Sequence, residues 1–492
     1  MKRFYWVASV FVLIMFSFQS FSQKIDVSDA ERANFNKNNF EIIGKANGKC
    51  FVYDNLKLKN TLSIYDAEMK PIDNITLYFI PENAANTNFI LYPDKIDVFY
   101  QYTKRGIMYC MAAQLDLNGK LINTPVEIDT ALSSSNSDII YSLITSENKE
   151  KLMVIKVNKR NPKFNLVTSL LFDKNLTLIH KTVSSIAVAK GKEFLSGFEL
   201  DNDGDLVCYY ATGQTDNINK LTMLTKAALE DNYVFTEIPV NGIYLDDIKV
   251  KTDNINNHYL IAAFYSNKKR GNIDGLYAFV WDKKNKQQIL STASLFNGTL
   301  RQEASAGSNL KTAFDNYFFR QIIMKIDGGF IAIAETEYST TQDNYFNRWD
   351  NFAPYVGFGA FGGFYSTMGR PINAKTYYAD NIGVFSFDMN GKLIWSNFVR
   401  KSERQENSNT FLSYGVMNTG DKINFLYNVS EKGSLSIYGE SITPDGQLIK
   451  IPTSSSNSHY QLMLRYGKQI GQKQMIIPCM YGNFVCFAKL EL

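Results

Sequence analysis

The octapeptide Leu115-Asp116-Leu117-Asn118-Gly119-Lys120-Leu121-Ile122 carries the clearest structural signal in the chain. An apolar residue and an aspartate lead into an Asn-Gly pair, and a short strand leaves it. Asn-Gly and Asp-Gly supply the positive φ angles that tight hairpin turns demand. The flanking residues alternate apolar and polar, as half-buried strands do. The pattern returns as Phe387-Asp388-Met389-Asn390-Gly391-Lys392-Leu393-Ile394-Trp395 and as Ile442-Thr443-Pro444-Asp445-Gly446-Gln447-Leu448-Ile449. Weaker copies are Tyr65-Asp66-Ala67-Glu68-Met69, Phe172-Asp173-Lys174-Asn175-Leu176 and Trp281-Asp282-Lys283-Lys284-Asn285.

The spacing is the stronger evidence. Asp66 to Asp116 is 50 residues and Asp116 to Asp173 is 57. A degenerate copy at Leu229-Glu230-Asp231-Asn232 lies about 56 further on, and Asp282 about 53 beyond that. Asp388 follows after 106 residues and Thr443 after 55 more, so one step is double and the rest share one period. Periods of this size belong to solenoids and propellers. Each has room for four strands, read in the second unit at 88–92, 96–102, 106–115 and 121–128. Helical spacing is scarce; 220–229 is the best candidate and still reads as strand and turn. Two β-sandwiches would account for the strands but not for the period.

The expected fold is therefore all-β: a β-propeller of four-stranded antiparallel blades. A closed ring removes the sheet edges that template aggregation. The C-terminus offers three strands, at 459–466, 475–480 and 483–490. A fourth is expected from the N-terminus, from 25–28 or from 40–43, so that strands from both ends close the ring. Seven complete units and this shared one predict eight blades, with seven as the alternative.

At the N-terminus, Lys2 and Arg3 precede an uncharged apolar run over 4–18, and Ser20-Phe21-Ser22-Gln23 follows. A basic start, a short apolar core and small residues before the cut make a secretory signal, placed at 1–22. The run is shorter than the roughly 20 residues that span a bilayer. The mature chain, 23–492, is read as one propeller domain with no further transmembrane segment. It keeps 50 basic against 48 acidic residues, a balance that gives no reason to expect nucleic acid, whose binding needs a concentrated basic surface.

The double-length step is read as one repeat carrying an aromatic and Gly-rich insertion at about 338–380. Long loops inside compact domains are often functional. Aromatic rings made accessible by glycine suit protein anchoring or stacking on sugars. The candidate contact residues are Tyr345, Phe346, Arg348, Trp349, Phe352, Tyr355, Phe358, Phe361, Phe364, Tyr365 and Arg370. Arg400 and Arg404 follow the segment and extend a candidate basic rim.

Little else points to chemistry. His180, His258 and His459 lie in different repeats without ligand spacing. Asp201-Asn202-Asp203-Gly204-Asp205 has carboxylates at alternate positions, as calcium loops do. Its glycine stands fourth rather than sixth and Thr212 stands where a twelfth-position glutamate would, so it reads as a hairpin turn. No catalytic residue, metal site or cofactor is expected. Cys50, Cys110, Cys208, Cys479 and Cys486 sit in strand-like runs and read as buried free thiols. In an oxidising compartment, Cys50 with Cys479 or Cys486 is the pair to test, because the closing blade would adjoin that of Cys50.

The leader ending, the Asn-, Lys- and Tyr-rich strands and the Asp-x-Asn-Gly turns together resemble exported propeller-type proteins of Gram-negative bacteria. The resemblance covers nearly all of the mature chain, and its motifs are structural. It implies a periplasmic or cell-surface location. Some such proteins are accessory parts of outer-membrane assemblies, including protein-export machines, which implies a protein partner in the envelope. The expected function is a non-enzymatic binding or scaffold role. The alternative is a carbohydrate-binding or glycoside-hydrolysing propeller with a glycan ligand.

Overall fold

The structure, a computed structural model, describes residues 24–32, 40–55, 59–133, 139–159, 161, 163–188, 193–213, 217–306, 312–341, 375–431, 434–454 and 460–492. The signal read at 1–22 lies outside them. The strands form eight antiparallel sheets, the eight blades of a propeller. Blades 1 to 7 occupy 40–76, 84–132, 141–187, 193–238, 244–295, 317–399 and 414–454, each a meander of strands a to d in chain order. The a strands of neighbouring blades touch one another (Phe40–Ala46 with Ala84–Leu91, Tyr244–Asp253 with Tyr317–Met324) and so line the axis. In such a meander the a–b and c–d turns emerge on one face, the turn face. The b–c and d–a connections emerge on the other, the connector face.

Blade 8 closes the ring with strands from both ends. Lys24–Val27 adds to the outer edge of Phe484–Glu491, pairing Lys24 with Glu491 and Val27 with Ala488. The alternative donor, Phe40–Ala46, instead opens blade 1. The closing strand is held by charge as well as by its ladder. Lys489 is 2% exposed, lies 3.1 Å from the Asp26 carboxylate, and also donates to the Ala67 carbonyl of blade 1.

The repeated turns explain themselves chemically. The Asp116 carboxylate accepts the N–H groups of Asn118 and Lys120 at 2.8 and 2.9 Å. Asp66, Asp173 and Asp388 accept from the same two positions, two and four residues on. One side chain thus satisfies two turn donors, which is why Asp recurs. The glycines meet a second demand. Gly446 has φ +88°, and a Cβ there would lie 2.7 Å from the Trp395 ring on strand d of blade 6. Gly391 has φ +70°, with Thr292 of blade 5 at 2.5 Å. These two turns therefore need a residue that tolerates positive φ and lets the preceding blade approach closely, whereas Met69 and Leu176 take the positive φ in the turns of Asp66 and Asp173.

Blade 4 departs from the rule. Lys226 pairs with Leu206, the place that Asp116 holds opposite Lys95 in blade 2. The repeat position is thus Lys226, ahead of the degenerate copy at 229–232, and Lys220–Lys226 is a strand followed by a turn. In blade 2, strand d begins at Val126 rather than near 121, because Leu121 makes only an isolated bridge to Leu115. The sequence also hid one helix, Gly298–Ser305, in the connection from blade 5 to blade 6. Its Asn297 cap accepts the Leu300 N–H at 2.9 Å.

Apolar layers fill the spaces between blades. The largest joins blades 5 and 6, where Phe264 stacks on Phe319 at 4.0 Å and Phe314 packs against Phe296 and Phe385. All five cysteines are buried free thiols. Cys50 packs with Val485 and Phe487 in the layer between blades 1 and 8. Cys479 and Cys486 point into the opposite layer, toward Met417 and Leu426 of blade 7. Alternate strand residues face opposite sides of a sheet, so the pairing of Cys50 with either is corrected: blade 8 itself stands between them.

Candidate functional site

The double-length step contains one blade. Strand b of blade 6, Phe330–Thr341, and strand c, Lys375–Phe387, outrun strand a, Tyr317–Met324, on the connector face. Their ladder slips at Glu335/Glu337 and then resumes from Glu337↔Ala379 to Thr341↔Lys375. A third strand, Glu403–Glu406, pairs with the other edge of the extension, from Thr376↔Glu406 to Ala379↔Glu403. β-branched and aromatic residues favour this pleated ribbon. Tyr338 stacks on Tyr378 at 4.6 Å, and the Lys375 ammonium sits 5.0 Å from the Tyr377 ring.

The eleven contact candidates, Tyr345 to Arg370, lie outside the described residues, between the two long strands of this ribbon. Of the candidate basic rim, Arg348 and Arg370 lie outside the described residues, and the two arginines that follow them both have partners. Arg400 donates to the carbonyls of Glu303 and Ala306 at the end of the helix. Arg404 forms an exposed pair with Glu406 at 3.0 Å.

Beneath the ribbon lies a cluster of six charges from three parts of the fold: Arg320, Glu335 and Glu337 of blade 6, Lys401 and Glu403 of the connection to blade 7, and Arg465 of blade 8. Lys401 Nζ lies 2.8 Å from Glu335 and 2.6 Å from Glu403, and donates to the Ala379 carbonyl at 3.0 Å. Arg320 Nε reaches Glu335 at 3.1 Å, and Arg320 and Arg465 converge on Glu337. The Ser413 N–H donates to Glu403 at 2.8 Å and its hydroxyl donates to Glu335. Three cations thus meet three carboxyl groups.

Burial and pairing compete at each carboxylate. Burial pushes Glu335 up, but Lys401, Arg320 and Arg465 together hold it at about 2. At Glu403 burial wins over Lys401 and raises the carboxyl to about 7. Burial also opposes the charge of Lys401, yet Glu335 and Glu403 more than offset it and its pKa rises. The cluster ties strand c and the Glu403–Glu406 strand to blades 6 and 8. In sequence its only sign is a pair of glutamates, Glu335 and Glu337, interrupting the apolar run 330–338.

Other sequence candidates resolve on the structure. Asp201–Asp205 is the a–b turn of blade 4, where the Asp201 carboxylate accepts the N–H groups of Asp203 and Asp205. Lys283 Nζ of blade 5 lies 2.6, 2.6 and 2.9 Å from Asp201, Asp203 and Asp205. An ammonium from the next blade thus takes the place a metal ion would need. Among the described residues no group of three or more His, Cys, Asp or Glu is arranged to hold a metal. His180 Nε2 lies 3.0 Å from Asp231, while Ser184 donates to the Asp231 backbone carbonyl, so these three do not form a nucleophile–base relay. His258 begins strand b of blade 5, and His459 lies outside the described residues.

One further feature was not singled out in the sequence. Tyr100, Tyr102 and Tyr109 of blade 2 form a ladder, with rings 6.2 and 5.3 Å apart and within 18° of parallel. Tyr102 and Tyr109 flank the b–c turn and are half-buried on the connector face.

No protein-family model matches the chain, and no curated protein matches it. Among solved structures it is similar to the WD40 domain of SCAP from fission yeast, at 10% identity and TM-score 0.38, over 95% of this chain and 98% of that one. It is also similar to an oligogalacturonate lyase in complex with manganese, at 9% identity and TM-score 0.37, over 96% and 97% of the two chains. A third is prolyl oligopeptidase B from Galerina marginata, at 9% identity and TM-score 0.42, where 92% of this chain spans 56% of the other.

Proposed function

We propose that the chain is an exported, non-enzymatic binding or scaffold protein whose contact surface is the connector face of the propeller. The signal at 1–22 directs it to the periplasm or cell surface of a Gram-negative bacterium. There it serves as an accessory partner of an outer-membrane or cell-surface assembly. The observation behind this reading is the mounting at blade 6: a three-stranded ribbon, braced by six charges, brackets residues 342–374. Burying charge is costly and gives weak stability in return. Such a cluster is better understood as fixing where the aromatic segment stands. A rigid base also limits the entropy lost when that segment meets a partner.

The test is to replace residues 342–374 with a short linker and purify the protein with its partners from the native envelope. Loss of the stoichiometric partners, with thermal unfolding unchanged, is the expected result. An unchanged partner set would sink the assignment.

A glycan-binding reading draws on a different observation, the tyrosine ladder of blade 2. Parallel rings beside a surface turn suit stacking on sugar faces. If this reading holds, Tyr102→Ala abolishes retention on a glycan array while leaving the protein partners in place.

A further inference from the structure

Cys479 and Cys486 face each other across the last hairpin. They are in-register partners in the antiparallel strands Gln474–Tyr481 and Phe484–Glu491. Opposite residues in such a pair have Cα atoms about 4.5 or 5.5 Å apart. Both values lie within the 4.4–6.8 Å that a disulfide requires, to order of magnitude. Both side chains enter the same apolar layer, both are fully buried, and the Cys486 thiol lies 3.5 Å from the Cys479 carbonyl. Cys50, on the far side of the blade, does not compete.

We propose that Cys479 and Cys486 join as a disulfide in an oxidising compartment, and that the bond fixes the register of the hairpin on which the N-terminal strand closes. The edge that receives Lys24–Val27 is the strand that carries Cys486. A one-residue slip of that strand would turn its apolar side chains to the wrong face. The bond makes such a slip impossible. Its compartment rests on the export reading above; its geometry does not.

The chemistry is a two-electron exchange with a disulfide carrier, small-molecule or protein. One cysteine thiolate attacks the carrier disulfide, forming a mixed disulfide and releasing one carrier thiol. The second thiolate attacks the protein sulfur of that mixed disulfide, forms the Cys479–Cys486 bond and releases the other carrier thiol. The two cysteine protons pass through solvent to the released carrier thiolates, so the carrier ends as two thiols. Burial pushes the Cys479 thiol well up, so the exchange belongs to the open hairpin, before blade 8 closes. Cross-strand Cβ atoms stand roughly 4.5–5.5 Å apart, wider than the roughly 3.8 Å mean of relaxed disulfides. The bond is therefore strained and readily reduced once exposed.

The test uses the mature chain, refolded in a mixture of reduced and oxidised glutathione, denatured, alkylated and digested with trypsin. Residues 474–489 form one tryptic peptide holding both cysteines. The expected peptide is two hydrogens light and carries no alkyl group, while Cys50, Cys110 and Cys208 are alkylated. Cys50→Ala leaves this result unchanged, and Cys486→Ala leaves Cys479 alkylated. A dithiol lowers the unfolding midpoint of the wild type but not that of Cys486→Ala. Two alkylated cysteines in the 474–489 peptide, or a mixed disulfide with Cys50, would overturn the pairing. The same peptide, oxidised after refolding but fully reduced when isolated from native cells, would overturn the export reading and leave the pairing standing.

Discussion

Blades 6 and 8 both take on strands that the repeat does not supply, and each holds them with a buried lysine. In blade 8, Lys489 reaches Asp26 on the N-terminal strand and the Ala67 carbonyl of blade 1. In blade 6, Lys401 reaches Glu335 and Glu403 and so holds the Glu403–Glu406 strand. The strand added to blade 8 closes the ring, and every blade depends on closure. The strand added to blade 6 supports a projection, and the ring is complete without it. The same device therefore has global reach in one blade and local reach in the other.

Removing the closing strand tests the global side most severely. Deletion of 24–27 leaves blade 8 with an unpaired outer edge, an exposed template for aggregation. The expected result is loss of monomeric protein on size exclusion and no cooperative thermal transition. Deletion of 342–374 should leave that transition in place.

Lys401→Met leaves the buried Glu403 without a cation and Glu335 with Arg320 alone. Breaking a buried pair in this way costs about 3–5 kcal/mol. The comparison sharpens if the loss is confined: hydrogen exchange should accelerate in 375–379 and 403–406 well before blades 2 to 4 respond. Uniform acceleration around the ring would show that blade 6 is as essential to closure as blade 8.

Lys489→Met removes one charged partner from Asp26, while Lys24 remains 3.2 Å away. The expected cost is about 1.5–3 kcal/mol, the range for hydrogen bonds to charged groups. Although smaller than the Lys401 effect, it should appear as a lowered midpoint for the whole ring.

Gly446→Ala puts a Cβ at positive φ against the Trp395 ring. The left-handed backbone alone costs about 1–2 kcal/mol, and denaturant unfolding should register at least that.

The most gradual effect is a pH dependence. Glu403, buried and raised to about 7, holds its proton in the folded state over a range where the unfolded chain has lost it. Stability from this group therefore falls as pH rises from about 4.5 to 7. Its slope is at most about 1.4 kcal/mol per pH unit for one proton. Glu335, held at about 2, has the opposite sign: it stabilises above the ordinary carboxyl range and loses that effect as pH falls toward 2. Glu403→Gln should flatten part of the upper slope. Glu41, also raised by burial to about 7, and Asp97, Glu199 and Glu440, raised by burial too, should keep the remainder.

The turns were legible because their chemistry is local. An aspartate that binds N–H groups two and four residues on, with a glycine at positive φ, is specified within five or six positions. Lys226 shows the limit: it fills the same place without the carboxylate, and the copy read nearby was out of register. The helix at Gly298–Ser305 escaped because only eight residues form it and its one clear mark is the Asn297 cap.

The sequence by itself determined the blade repeat and the closure of the ring by both ends, and it favoured eight blades over seven; the eight sheets of the structure decided the count. Strand alternation and turn donors are short-range properties, and closure follows from three strands left wanting a fourth. Tertiary structure alone decided which side chains meet. Arg320 and Arg465 converge on Glu337 from blades 6 and 8, and Lys283 fills an acidic turn some eighty residues earlier in the chain. Each of these charges, read in its own strand or turn, is an ordinary surface residue. Only the curvature of the ring brings them within reach, and only burial makes their pairing matter.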